Sequence, residues 1–315
     1  MASRYCRVVD ANTMPWSVGI RFTHASLQVL ADDHGIDLLH IKGPAVDDSL
    51  LEVQPGDASP RGGPVERVAR QSIDADVLVR PAHVERLLDV MHRHGWTMKY
   101  RFEDGSAFEH AATLVHPFLA PVDVHRRFPG MDANPTAAFE RLWEERHVVP
   151  IAGFDCPVPS VTAQRLVLVL HATRAGRLQH SDIQRSWTFA TDDERAAVRR
   201  LADELGAEVA LAAGTGRLAD YDGTRGYELW RALSTGEQSR VRIWLARVKS
   251  EPTVFGAVRT AVRLIVPNPR RMRTTLGRRP TVREVTRAYA QRARWGYREV
   301  ARLVRASKGA SRGTR

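Results

Sequence analysis

The segment SIDADVLVR (72–80) constrains this chain more than any other. Ser72, Asp74 and Asp76 alternate with Ile73, Ala75 and Val77, ahead of the apolar stretch Val77 to Val79. A strand has a side-chain period of two, so both aspartates project from one face. Pro81 ends the strand, and Val84, Leu87, Leu88 and Met91 follow at helical spacing, with Gly95 as the C-terminal cap. A strand carrying two carboxylates, backed by a packing helix, is therefore the nucleus of the expected fold.

Two more segments add strands. DLLHIKG (37–43) is an apolar run that ends in a Lys-Gly-Pro turn and delivers Lys42 to its end. TLVHPFLAPVDVHRR (113–127) reads as two short strands joined around Pro117 to Pro121. In the second of these, Asp123 and His125 share a face, while Val122 and Val124 take the other toward the core. Between the first two strands, VQPGDASPRGGP (53–64) has the composition of a surface loop.

Beyond Ser160, an expected N-cap, the chain turns helical, with segments over 192–213, 226–249 and 281–305. Residues 266–280, with three prolines and little apolar content, read as a linker into a basic last helix. The expected class is α+β, a small mixed sheet with flanking helices followed by a mainly helical C-terminal region. Three parts are expected: 1–150 as the catalytic α/β domain, 151–265 as a helical substrate-binding domain, and 266–315 as linker and basic tail.

The net charge of +11 is unevenly placed. Residues 270–315 hold 15 Lys and Arg against Glu284 and Glu299, or +13, which leaves −2 for the rest. A nucleic-acid reading therefore attaches to the tail, where Tyr289, Trp295 and Tyr297 interleave with arginines. The same pattern also fits a solvated helix that packs its aromatics on the body. Cys6 and Cys156 lack the clustering of a zinc site or disulfide framework. No apolar run reaches the roughly 20 residues that span a bilayer, and the N-terminus lacks the apolar stretch of a signal peptide, so a cytoplasmic location is expected.

A D-x-D on one strand plus a third Asp on a neighbour suits a hard cation such as magnesium, which takes oxygen ligands. Two such ions roughly 3.5–4 Å apart stabilise the entering and leaving oxygens in phosphoryl chemistry. A lone D-x-D is more often a solvated strand end; the combination with Lys42 upstream and D-x-H downstream raises the metal reading above that.

Four elements together resemble the uncharacterised bacterial nucleotidyltransferases of the polymerase-beta-like superfamily. They are IKGPA (41–45), the R-x-x-x-D-x-D-x-L-V pattern in RQSIDADVLVR (70–80), VDVH (122–125), and a helix with His171 followed by SDIQRSW (181–187). VPNPRRM and the tail helix are also similar, so the resemblance spans most of 36–305.

The resemblance implies that Asp74 and Asp76 are paired metal ligands and that Asp123 is the third carboxylate, which helps activate the attacking hydroxyl. It also implies that Lys42, Gly43 and Arg70 bind the nucleotide's phosphates, with two Mg2+ ions as cofactor. The superfamily's usual Gly-Ser turn is here Lys42-Gly43-Pro44, and Gly43 stands 31 positions before Asp74, with the Pro/Gly-rich loop filling the excess. His125 is expected to orient Asp123 or contact substrate, and to be a structural histidine otherwise. His171 and Asp182 are candidates for the substrate side, with a core role for His171 as the alternative.

The implied reaction moves a nucleoside monophosphate from a nucleoside triphosphate, ATP by default, to a hydroxyl of an unknown acceptor. That acceptor is a small molecule, a peptide or a protein, and pyrophosphate is released. Two other readings stand beside it: a nucleic-acid-binding protein working through its basic tail, and an inactive, partner-binding pseudoenzyme.

Overall fold

The computed structural model describes residues 14–51, 72–105, 108–178, 181–237, 239–266 and 268–310. Arg70, Cys6 and the loop over 53–64 lie outside these residues. The chain runs α1 (Trp16–Asp33), β1 (Leu38–Ile41), β2 (Ala75–Val79), α2 (Val84–Arg93), β3 (Thr97–Tyr100), α3 (Phe102–Gly105), β4 (Ala111–Val115), β5 (Val122–His125), α4 (Pro135–Glu144), β6 (His147–Ile151) and β7 (Phe154–Val158). Helices follow: α5 (Val161–Arg174), α6 (Ser181–Ile183), α7 (Asp192–Glu204), α8 (Glu208–Gly214), α9 (Tyr227–Ser234), α10 (Arg240–Ser250), α11 (Val254–Ile265), α12 (Pro269–Leu276) and α13 (Val282–Ala310). The class is α+β, as expected.

Five strands form one mixed sheet in the order β1-β2-β5-β4-β3, and β6 and β7 form a separate hairpin. The central pairing of β2 with β5 is parallel, with Asp76 opposite Asp123, whereas β1 runs antiparallel to β2 with Ile41 opposite Asp76. Strands β1 and β2 are buried along their whole length. This matches their near-continuous apolar sequence, because a strand covered on both faces cannot alternate.

The chain divides into two compact units. One comprises Met1–Met98, Thr113–Arg127 and Pro135–Gln164; the other comprises Lys99–Ala112, Phe128–Asn134 and Arg165–Arg315. In the first, Leu27 and Ala31 of α1, Leu87, Val90 and Met91 of α2, and Val77, Val79, Val122 and Val124 of the sheet are fully buried. Each such Leu, Val or Met stabilises the fold by about 1.5–3 kcal/mol relative to exposure. Helix α1 is further tied to the loop before β5, where the Ala120 N–H donates to Thr23 Oγ1 at 2.9 Å.

In the second unit two of the expected helical segments are broken, whereas the last, expected over 281–305, runs as α13 over Val282–Ala310. The segment expected over 192–213 breaks into α7 and α8 at Gly206, whose φ of +62° favours glycine and where a Cβ would stand a tight 3.2 Å from the Ala133 nitrogen. The segment expected over 226–249 divides into α9 and α10. The expected linker over 266–280 contains α12, which opens on Pro269, a residue suited to the first helical position. Among the described residues, no helix is long and apolar enough to cross a membrane.

Truncation of the α1 contact to the sheet provides a check on this core. Leu27→Ala should lower the unfolding free energy by about 2–5 kcal/mol in a urea titration, and a loss under 1 kcal/mol would show that α1 is not packed as described.

Candidate functional site

The sheet brings together the residues that the sequence left far apart. Parallel pairing sets Asp76 of β2 beside Asp123 of β5, and the two-residue period carries His125 to the same face. His125 Nε2 lies 2.8 Å from Asp76 Oδ1. Lys42, the residue after β1, places its Nζ 2.5 Å from the same oxygen. All of this is internal: Lys42 is 7% exposed, Asp76 3% and His125 1%.

Charge decides the protonation states. Burial alone would raise the Asp76 carboxyl, but the Lys42 ammonium and the His125 hydrogen bond outweigh it and hold the group well below the usual carboxylate range. His125 is itself lowered, because burial outweighs the attraction of Asp76. An ionised carboxylate only accepts, so the ring presents Nε2–H to Asp76.

Asp74 behaves differently. It sits half-buried on the bend before β2, where the Ser72 hydroxyl donates to its carbonyl at 2.6 Å. Burial, then the charges of Asp76 and Asp123, push its carboxyl up to about 6 against the pull of Lys42. Asp74 is thus close enough to feel both other carboxylates. The tightest group, with one ligand atom from each residue and all within 4.8 Å of one another, is nevertheless Asp76, Asp123 and His125.

The turn that carries Lys42 is unusual. Both Lys42 (φ +61°) and Gly43 (φ +51°) have left-handed backbones, entering a short 3-10 turn over Gly43–Ala45. For a lysine this conformation costs on the order of 1 kcal/mol or more, and surrounding structure must hold it. It is held from below by Ala45, which packs with Ile151, Cys156, Val158 and Val149 of the β6–β7 hairpin. From the far side, Gln164 accepts from the Asp47 N–H at 2.7 Å and donates to the Pro159 carbonyl at 2.9 Å. Burial pushes the Cys156 thiol up to about 12, so it serves this packing as an uncharged group.

Of the residues expected at the site, Lys42, Gly43, Asp74, Asp76, Asp123 and His125 belong to the first unit and gather around the ends of β1, β2 and β5. Arg70 lies outside the described residues. His171, half-buried near the end of α5, and Asp182, buried in α6, belong to the second unit.

Two nearby polar groups escaped the sequence reading. The Thr113 hydroxyl of β4 donates to Asp123 Oδ1 at 2.6 Å, and His24 of α1 faces Gly43. Thr113 was recoverable as a β-branched hydroxyl on the strand before β5. His24 carries no local signal, since nothing in α1 announces which face meets the turn.

No curated protein matches the chain. Similar solved structures include the lincomycin-bound lincosamide antibiotic adenylyltransferase LnuA, at 16% identity over 56% of this chain and 92% of that one, with a TM-score of 0.31. They also include the antibiotic-resistance factor ANT(2'')-Ia, at 16% identity over 66% of this chain and 96% of that one, with a TM-score of 0.34. Residues 66–221 match the family described as uncharacterised nucleotidyltransferases, a stretch that contains Asp74, Asp76, Asp123, His125, His171 and Asp182. The chain is therefore a nucleotidyltransferase of this family.

Proposed function

We propose that the first unit transfers a nucleoside monophosphate from a nucleoside triphosphate, ATP by default, to an acceptor hydroxyl, with pyrophosphate as the second product. The observation that carries this is the in-register pairing of Asp76 with Asp123 beside the Lys42 ammonium. Two carboxylates placed side by side, with a third whose ionisation they oppose, form a set that a divalent cation relieves. The donors are oxygens, as magnesium prefers, and His125 suits the role of a partner that orients a ligand carboxylate.

Asp74, Asp76 and Asp123 would hold the metal, two Mg2+ ions in the full arrangement, which when bound neutralises phosphate charge and lowers the pKa of the attacking hydroxyl. Lys42 supplies a fixed positive charge to the phosphates from the end of β1. His125 donates to Asp76 and keeps its carboxylate turned inward. Thr113 does the same for Asp123, which leaves that side chain's other oxygen for the reacting centre.

The choice of variant matters here. Asp76→Asn would leave a buried lysine uncompensated, a change that costs about 3–5 kcal/mol and confounds loss of activity with loss of fold. Asp123, only half-buried, is the cleaner position. Asp123→Asn should lower Mg2+-dependent transfer of labelled nucleotide to acceptors in a lysate of the source cells by on the order of 100-fold or more, with an unchanged circular-dichroism spectrum. Activity within a few-fold of wild type would refute the assignment.

A second outcome follows from Asp74, without metal or substrate. Its carboxyl binds a proton more tightly folded than unfolded, so between about pH 4 and pH 6 the native state holds more protons and stability falls as pH rises. In EDTA, Asp74→Asn should match wild type near pH 4. At pH 7–8 it should exceed wild type by on the order of 1 kcal/mol, allowing for solvent screening. A variant less stable than wild type at pH 8 would contradict the electrostatic picture.

The nucleic-acid reading attaches to α13, where Arg283, Arg287, Arg292, Arg294 and Arg298 are exposed. If nucleotide chemistry resides in the first unit, Arg283→Glu, Arg287→Glu and Arg294→Glu together should leave Mg2+-dependent binding of a nonhydrolysable ATP analogue unchanged by calorimetry. Any affinity for single-stranded nucleic acid should fall, and its salt dependence should flatten. Loss of nucleotide binding in that triple variant would instead place the nucleotide on the tail.

A further inference from the structure

Helix α11 turns its apolar side outward. Its packed side is small and polar: Thr260 is 5% exposed and its hydroxyl donates to Glu251 Oε1 at 3.1 Å, while a Cβ on Gly256 would stand 2.9 Å from Glu251 Oε2. On the outer side Val254, Val258, Val262 and Val266 recur every four residues and are 83%, 55%, 50% and 41% exposed. Phe255 stands beside them at 79%. Helical spacing joins these five side chains into one stripe along the outer surface. Single apolar residues are ordinary on a protein surface, but a contiguous stripe marks a surface that something covers.

Charge narrows what can cover it. Arg259 and Arg263 continue the row of Phe255 at four and eight residues on, and both pair with Glu109 along the border of the stripe. Arg292 of α13 donates to the Val266 carbonyl at 2.7 Å, which ties the basic last helix to the end of the stripe. From 254 to 315 the chain holds 17 Lys and Arg against only Glu284 and Glu299. A second copy would bring the same charge to the same face and be repelled. Nucleic acid would satisfy the arginines but not the valines, which neither neutralise phosphate nor offer a ring for stacking. An anionic phospholipid leaflet satisfies both, because valines and a phenyl ring sink to the acyl boundary while arginines meet the headgroup phosphates. At 12 residues the helix is far too short to span a bilayer, so it would lie in the interface.

We propose that α11 is a peripheral membrane-docking helix, which seats Val254, Phe255, Val258, Val262 and Val266 in an anionic phospholipid surface. None of these residues belongs to the carboxylate site, so docking stands whether or not nucleotidyl transfer is the activity.

Flotation of the full-length protein with vesicles tests this. One set is phosphatidylcholine alone and the other contains about 30% phosphatidylglycerol, both at about 0.1 M salt. Wild type should rise with the anionic vesicles and far less with the neutral ones. Phe255→Ser combined with Val258→Ser removes apolar surface without changing charge. It should weaken partitioning onto the anionic vesicles by about 10-fold or more, with an unchanged Tm.

Equal flotation of wild type and the double variant would overturn the proposal, because charge alone would then hold the protein to the vesicle. Failure of wild type to float would overturn it too, leaving the stripe to a protein partner. A concentration-dependent dimer that the double variant abolishes in light scattering would assign the stripe to a second copy instead. Loss of single-stranded nucleic-acid binding in the double variant, with flotation intact, would assign it to nucleic acid. A fall in Tm in the double variant would show that the stripe is packed within the protein.

Discussion

The ion pair between Lys42 and Asp76, shared with His125, is what the rest of this structure depends on. A buried carboxylate is costly unless charge and hydrogen bonds compensate it, and the two compensating groups converge on one oxygen of Asp76. Each comes from a different strand, so the three side chains meet only if β1, β2 and β5 hold their observed order and register. A slip of one residue in β5 would turn Asp123 and His125 to the opposite face and bring Val124 into their place. The apolar partners of that register, Val122 and Val124, are fully buried, so the core enforces the geometry that the charges need.

Compensation is deliberately incomplete at one point. Asp76 has its partners, whereas Asp74 feels two like charges and partial burial with too little opposing them. Such a conflict lowers stability in the absence of a cation and is the kind of feature that clusters at functional sites. The left-handed Lys42 belongs to the same economy of strain: the β6–β7 hairpin and Gln164 restrain a turn that lysine would not adopt alone. The second unit, largely helical, contains the remaining motif residues His171 and Asp182.

Much of the first unit was legible in the sequence, because strands announce themselves through alternation and apolar runs. The period-two pattern around Asp74 and Asp76, the D-x-H of Asp123 and His125, and the strand that delivers Lys42 all appear where the residues imply. What could not be read was pairing: only the sheet order reveals that Asp76 stands beside Asp123 and that His125 reaches Asp76. Ile73, which continues the alternation on paper, is exposed because β2 begins at Ala75. His24 was invisible for a related reason, since its place beside Gly43 comes only with the packing of α1. The helical half was read too coarsely. A pattern of period 3.6 runs across Gly206 without showing that the backbone reverses there, and Pro269 reads as a breaker although it opens a helix.

The most direct test of the central claim is where a divalent cation binds. A crystal grown with Mn2+ and a nonhydrolysable nucleoside triphosphate should show an anomalous peak within coordination distance, about 2.0–2.2 Å, of carboxylate oxygens from both Asp76 and Asp123. A peak elsewhere, or none while the nucleotide is bound, would contradict the account.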